Sequence, residues 1–319
     1  MPPRKLVVAT HGHCFDGLAS AVLFTHLRRH LEPAVEQFEY RSCGYGPKLK
    51  TVPDRWLRGD ENAIIDFRYS PSERLHWYFD HHPTAFASKQ EQTVALGRKN
   101  VFYDPSYDSC AKLIADVTVA RFGVDIEHFS ELIAWADRID GASFESAEDA
   151  LDRTAKVMQL ASVVEQHGDA PLLTQLVTAL LEGTASEVAD SEPVRTRWRP
   201  LAEAHAATRK RFADAARLVD EVVYADMAEA SLGSSGKFYA YALFPAAHYS
   251  VALLRMKQQF KVSVGFNPWS DGTRRHDIGA LCQQHGGGGH ADVGAVTFSL
   301  ERLDDARRVA KSLVAELNR

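Results

Sequence analysis

Three short apolar runs in the first third of the chain each end in a side chain that can hold a metal ion. Leu6-Val7-Val8-Ala9-Thr10 runs into His11, Ala63-Ile64-Ile65 into Asp66, and His76-Trp77-Tyr78-Phe79 into Asp80-His81-His82-Pro83. Short apolar runs bounded by polar residues read as buried strands. Strands that alternate with helical segments imply a parallel sheet covered by helices. In such sheets ligands bind outside the carboxyl ends of the strands. Neighbouring strands lie about 4.8 Å apart, so their ends can share metal ions. The pattern therefore favours an α/β fold with His and Asp side chains gathered along one sheet edge.

The remaining elements extend that reading. Leu18 to Leu31 places Leu18, Val22, Leu27 and Leu31 near one helical face. Ala34 to Arg41 reads as a strand, Pro71 to Leu75 as a helical piece, and Ser109 to Phe122 and Ile126 to Ala136 as helices. From about Ala147 to Leu218 the pattern is nearly all helical, with Pro193 and Pro200 interrupting a long charged stretch. Strand-like runs return at Val222 to Ala225, Phe238 to Phe244, Ser250 to Leu254 and Lys261 to Phe266. A short helix from His276 to His285, a glycine run, a strand from Ala295 to Leu300 and a helix from Asp304 to Leu317 follow. The expected organisation is α/β, with a parallel-sheet domain carrying helices on both faces over 1–190. A helical connector over 191–220 and a smaller α/β domain over 221–319 follow it.

Each motif has an ordinary structural use to set beside a chemical one. His11-Gly12-His13-Cys14-Phe15-Asp16-Gly17 joins the first strand to the first helix, whose free N–H groups face back toward the turn. Its Gly and Asp could serve only to cap that helix. Asp66 alone is an ordinary first solvated position after a strand; Asp80-His81-His82 on the next strand gives it weight. Asp137 and Asp140, in Trp135-Ala136-Asp137-Arg138-Ile139-Asp140-Gly141, follow an apolar helix, and either could complete a metal shell. A mixed His/Asp shell suits Mn²⁺ better than structural zinc, which favours Cys. Two such ions, about 3.5–4 Å apart, can clamp the attacking water and the leaving oxygen of a phosphoryl transfer. Asp66 is the natural bridging carboxylate between them.

Gly286-Gly287-Gly288-Gly289-His290 is the second strong signal. Glycines let a backbone approach a ligand closely and accept positive φ, and His290 can donate to a phosphate or sugar. The run lies between a patterned helix and a strand, which disfavours a simple linker. Arg275, with Arg255 and Arg274, could add anion contacts, although surface ion pairing is the ordinary use of each.

The chain has 319 residues and a formal charge of −5, with a pI near 6.3. Long duplex nucleic acid wants a basic face, so such a partner is not expected. Cys14, Cys43, Cys110 and Cys282 are scattered without a CxxC pair, and no signal-type segment precedes the first strand. These features lead us to expect a reducing, cytoplasmic setting. No apolar run reaches the roughly 20 residues of a membrane helix, so no membrane partner is expected.

His11 with Asp16-Gly17-Leu18-Ala19-Ser20, then Asp66, then Asp80-His81-His82, then Gly286 to His290 followed by Gly294, occur in the order of a known pattern. Over nearly its whole length the chain resembles the DHH phosphoesterase superfamily, in the branch with a DHHA1-type second domain. The resemblance implies a two-domain hydrolase with two divalent ions, typically Mn²⁺. It implies His11, Asp16, Asp66 and His81 as metal ligands, with Asp137 or Asp140 completing the set. Asp80 would orient a ligand or help bind metal, and His82 would contact the scissile phosphate. Asp80, His81 and His82 are thus the expected catalytic residues. Gly286, Gly287, Gly288, Gly289 and His290, with Arg275, would bind the substrate. Substrates in the family are short oligonucleotides, dinucleotides, nucleoside bisphosphates, pyrophosphate or polyphosphate.

This sequence departs from the family in two places. The usual first motif has a His, then an Asp four residues on and another six on. Aligned backwards from Ser20, Asp16 is the second of these, Cys14 stands where the first should be, and the spacing is one residue short. His13 or Cys14 would replace the missing carboxylate and soften that position. An Arg common in the family's Ser-x-Arg-Ser strand is also absent from Ser263-Val264-Gly265-Phe266; Asn267 or Arg275 would substitute. The leading expectation is a metal-dependent phosphoesterase acting on a small nucleotide or short single-stranded nucleic acid; a homodimer is compatible with it. Phe266, Trp269 and Tyr249 favour a base-stacking substrate, and polyphosphate or pyrophosphate hydrolysis is the alternative. A non-catalytic nucleotide sensor with a degenerate metal site is the reading from another class, and Cys14 is the feature that supports it.

Overall fold

The computed structural model describes residues 4–44, 51–229 and 238–319. They form two compact units, 1–143 with 153–198 and 144–152 with 199–319. The first unit is built on β1 (Arg4–His11), β2 (Val35–Cys43), β3 (Glu61–Ile65), β4 (Trp77–Asp80) and β5 (Val101–Tyr103). The strands lie in the order β2-β1-β3-β4-β5, and every pairing is parallel. Burial of Leu6, Val7, Val8 and Ala9 at 0% exposure shows that both faces are covered, as a parallel sheet requires.

Side chains alternate across this sheet with period two. Trp77 and Phe79 pack edge-on against Phe24 of helix α1 (Phe15–Leu31) on one face. Tyr78 faces the other way, onto Tyr69, in a cluster that includes Ala95 of α2 (Lys89–Leu96). Helices α3 (Cys110–Phe122) and α4 (Ser130–Asp140) pack against α1. The segment expected to be helical, Pro71 to Leu75, is a turn instead. There the Ser72 hydroxyl and carbonyl accept from the amides of Arg74 and Leu75, a local bonding choice that competes with a helix.

Helix α5 (Ala147–Leu151) goes with the second unit, whereas the sequence pattern puts it within 1–190. Its Ala147 and Leu151 join the apolar cluster of Phe212, Val223 and Tyr239, and apolar burial decides the partnership. Helices α6 (Lys156–His167), α7 (Ala170–Leu180) and α8 (Ala185–Ala189) complete the first unit, and α9 (Glu192–Ala215) leads on from them.

The second unit carries β6 (Ala216–Val219), β7 (Val222–Met227), β8 (Tyr249–Arg255), β9 (Gln259–Phe266), β10 (Gly288–His290) and β11 (Val293–Ser299). Their order is β10-β11-β9-β8-β7-β6. The segment expected to be a strand from Phe238 to Phe244 is helix α10 (Tyr239–Leu243). The reason is topological. It lies between β7 and β8, which pair in parallel, and parallel neighbours need a crossover rather than a hairpin. Residues 216–219, expected to end the connector, form β6, which pairs antiparallel with β7 across a two-residue turn at Asp220. Helix α12 (Leu303–Leu317) packs on this sheet beside α11 (Ile278–Gln284). Among the described residues no helix is long and apolar enough to cross a membrane.

The glycine run leads from α11 into the edge strand β10. Gly286 has φ +81 and Gly289 φ +156, both in the region that favours glycine. A Cβ on Gly287 would lie 2.1 Å from the Ala295 carbonyl oxygen, whereas a Cβ on Gly288 would meet nothing within 4 Å. The fold therefore requires three of the four. Gly287→Ala should destabilise by about 1–3 kcal/mol through overpacking. Gly288→Ala should be neutral or stabilising by up to about 1 kcal/mol through the unfolded chain. Denaturant unfolding of both variants checks this; equal losses would mean that the run is uniformly structural.

Candidate metal centre

Because β1, β3 and β4 are parallel neighbours, their carboxyl ends fall side by side. Thr10 pairs with Ile65 and Ile65 with Phe79, so His11, Asp66 and Asp80 emerge in a row. The chain turns to β2 on one side of β1 and to β3 on the other. The row thus lies at the point where strand order reverses, the usual ligand position in such sheets. The turn from β1 into α1 is tight. A Cβ on Gly17 would lie 2.1 Å from the His11 carbonyl oxygen, and Thr10 Oγ1 donates to the Gly17 carbonyl at 2.8 Å. This closure places Asp16, in the first turn of α1, beside the strand ends.

Asp66 is the centre of the group. It is 1% exposed, has φ +52, and neither carboxylate oxygen makes a hydrogen bond. Its oxygens face His11 Nδ1 at 3.6 Å, His82 Nδ1 at 3.6 Å and His81 Nε2 at 3.8 Å. Burial, together with the charges of Asp16 and Asp140, pushes its carboxyl well above the usual range. Asp16 accepts from the backbone amides of Cys110 and Ala111, both at 2.8 Å, at the start of α3. Burial and Asp140 nevertheless hold it up at about 7.

The histidines are oriented from behind. His81 Nδ1–H donates to the Tyr107 carbonyl at 2.9 Å, which leaves Nε2 facing Asp140 at 3.3 Å and Asp16 at 3.8 Å. Burial opposes its charging, but the carboxylates of Asp140 and Asp16 prevail and hold it at about 9. His11 is pushed down to about 4 by burial and by His82. Asp80 is fully buried and saturated. Its Oδ1 accepts from the amides of His81 and His82 at 2.9 and 3.2 Å and from His82 Nδ1 at 2.7 Å. Its Oδ2 accepts from the Tyr78 hydroxyl at 2.8 Å. Asp80 is thus placed to orient His82.

Among the described residues, three groups could therefore hold a metal ion: Asp66 with His81 and His82, Asp16 with His81 and Asp140, and His11 with Cys14 and Asp66. Within each, one ligand atom per residue lies within 4.8 Å of the others. A buried carboxylate with no donor, ringed by imidazoles, fits a divalent cation, since burial of an unpaired charge is otherwise costly.

The expected residues separate clearly. Of the two acids on α4, Asp140 joins the group. Asp137 instead accepts from Ser109 Oγ at 2.8 Å, and Ser109 is the N-cap of α3. His13, with φ +56, gives its Nδ1–H to the Glu165 carbonyl at 3.1 Å. It lines a cavity of about 350 Å³ with Gln166, His167 and Arg197 rather than joining the carboxylates. The brace from the Tyr107 carbonyl to His81 escapes sequence reasoning, because a backbone acceptor leaves no mark in side-chain motifs. In the second unit Arg275 is paired with Glu221, and its backbone N–H donates to the Tyr249 hydroxyl at 2.8 Å. Tyr249 is fully buried, Trp269 donates to the Phe144 carbonyl at 2.7 Å, and Phe266 packs on the core. These aromatics serve packing, which removes the base-stacking argument drawn from the sequence.

Comparison with known proteins places the fold. No family model and no curated protein matches the sequence. Among solved structures, the pGpG-specific phosphodiesterase PggH from Vibrio cholerae is 22% identical over 99% of each chain, with a TM-score of 0.72. The DHH domain of a member of a family of ribosomal proteins is 14% identical over 98% of this chain and 87% of that one, TM-score 0.62. RecJ from Thermus thermophilus, in complex with Mn²⁺, is 12% identical over 98% of this chain and 52% of RecJ, TM-score 0.61. The chain has the DHH fold.

The raised groups set a pH dependence. Asp16, up from 3.8 to about 7, and His81, up from 6.5 to about 9, both hold protons more tightly when folded. Such groups lend stability at low pH that is lost as pH rises through the folded value. His11, lowered to about 4, acts oppositely, but only below 6.5. From pH 6.5 to 9 the metal-free protein should therefore lose thermal stability. Added Mn²⁺ should raise Tm by an increment that grows with pH. Melting curves across this window check it; a metal-free Tm that rises with pH would contradict the assignment.

Proposed function

We propose that this chain is a metal-dependent phosphoesterase that hydrolyses small nucleotide-type phosphodiesters or phosphomonoesters. The observation that carries the reading is the hydrogen-bond-free Asp66 carboxylate among Asp16, Asp140 and the histidines at the sheet's switch point. His11, Asp16, Asp66, His81 and Asp140 would hold two divalent ions, Mn²⁺ being the natural first choice for an oxygen- and nitrogen-rich set. When bound, such ions supply Lewis acidity toward the attacking water and the phosphoryl oxygens.

The side chains have distinct tasks in this reading. Asp66 falls in two of the three groups, with His11 and Cys14 and with His81 and His82, and would hold metal from either side. The Tyr107 carbonyl fixes the His81 tautomer so that Nε2 faces the centre. Asp80 accepts from His82 Nδ1–H and so fixes the ring, whose Nε2 would meet a substrate phosphate. In the second unit, Gly288 and His290 would contact the substrate. Gly288 supports this because the fold leaves the space above it open. Whole-length likeness to a pGpG-specific phosphodiesterase favours a short nucleotide substrate.

Turnover with Mn²⁺ should be strongest on a linear dinucleotide when compared with a nucleoside bisphosphate and polyphosphate. Preference for polyphosphate would overturn the substrate class. Asp66→Asn keeps the shape and tolerates positive φ, so it should fold, lose metal and lose activity. Asp140→Asn should also lose metal, whereas Asp137→Asn should keep it, because its amide oxygen can still accept from Ser109 Oγ. Full metal content in Asp140→Asn would return the choice to Asp137. Gly288→Val and His290→Ala should lower kcat/KM with metal content unchanged. Wild-type kinetics in both would leave the glycine run a structural turn.

A further inference from the structure

Cys14 stands where the first helix begins, at the N-cap of α1. Asp, Asn and Ser are the usual residues there because their oxygens bond the first helix amides. Cys14 makes no full capping bond, although the Gly17 amide favours its thiolate against burial and the charges of Asp66, Asp140 and Asp16, which push the thiol up. The usual oxygen cap is thus missing here, and the sulfur of Cys14 also faces the metal-capable group. Its sulfur is within 4.8 Å of ligand atoms of His11 and Asp66. Both oxygens of that Asp66 are buried and without hydrogen bonds. His13, the other candidate for the missing acid, is occupied by the Glu165 carbonyl.

We infer that Cys14 is a thiolate ligand to one of the two metal positions, completing a sulfur, nitrogen and oxygen set with His11 and Asp66. This deepens the proposed function and rests on its metal centre. The two positions then differ in chemistry. Asp16, His81 and Asp140 offer oxygen and nitrogen, suited to Mn²⁺ or Mg²⁺. The His11, Cys14 and Asp66 position is softer and selects borderline ions such as Fe²⁺, Co²⁺ or Zn²⁺. Metal binding displaces the thiol proton, so no separate base is needed. A mixed centre follows, and Mn²⁺ alone would fill only one position well.

Metal-free protein titrated with Co²⁺ tests this without reference to activity. Wild type should develop a near-ultraviolet sulfur-to-cobalt charge-transfer band. Cys14→Ser should abolish it, while Cys43→Ser, Cys110→Ser and Cys282→Ser should retain it. Cys14→Asp should lose Zn²⁺ affinity by more than the roughly 10–100-fold that loss of an outer-shell partner costs, and should gain affinity for Mn²⁺. X-ray absorption on Zn²⁺-loaded wild type needs no variant and should show a sulfur neighbour at about 2.3 Å. Two bound ions with no sulfur neighbour would overturn the role of Cys14 while leaving the phosphoesterase reading intact. Failure to bind any divalent ion would overturn both.

Discussion

A buried carboxylate that accepts no hydrogen bond among the described residues lies at the centre of the first unit's metal-capable group. Asp66 is buried to 1% exposure with no hydrogen bond to either oxygen, and Asp16 and Asp140 add like charge nearby. Removing such a charge from water costs several kcal/mol unless it is paired or protonated. The surrounding imidazoles offset part of this, and a divalent cation would offset the rest. Affinity for metal would thus draw on the cost of burying this charge in the metal-free fold.

That buried charge is held in place by ordinary structural interactions. Asp137 bonds Ser109, which caps α3; the first amides of α3 then bond Asp16. The helix dipole favours a carboxylate at that end, which opposes in part the rise that burial and Asp140 impose on Asp16. On the opposite side, Asp80 gathers four donors from Tyr78, His81 and His82. One buried acid is therefore satisfied and positions its neighbours, while the other, Asp66, is left for a ligand.

Much of this is legible in the sequence, because the signals are local. Apolar runs ending in His or Asp point to the parallel strands and the row of side chains at their ends. Asp137 and Asp140 cannot be told apart there, since the choice depends on Ser109 from another helix. His13 and Cys14 are equally ambiguous; the positive φ of His13 turns it to Glu165, and local residue type does not reveal that. The run from Phe238 to Phe244 looks strand-like because its apolar content is high. Only the parallel pairing of β7 with β8 requires it to cross over as a helix. The aromatics Tyr249 and Trp269 mislead in the opposite sense, being used for the core rather than for a ligand.

The central claim is that the charges around Asp66 exist to hold divalent metal for phosphoester hydrolysis. Its most direct test measures metal equivalents and hydrolysis of a linear dinucleotide on one sample, before chelation, after chelation and after metal is restored. Two equivalents per chain, loss of turnover with chelation and recovery with metal are expected. Turnover that survives complete removal of metal would contradict it.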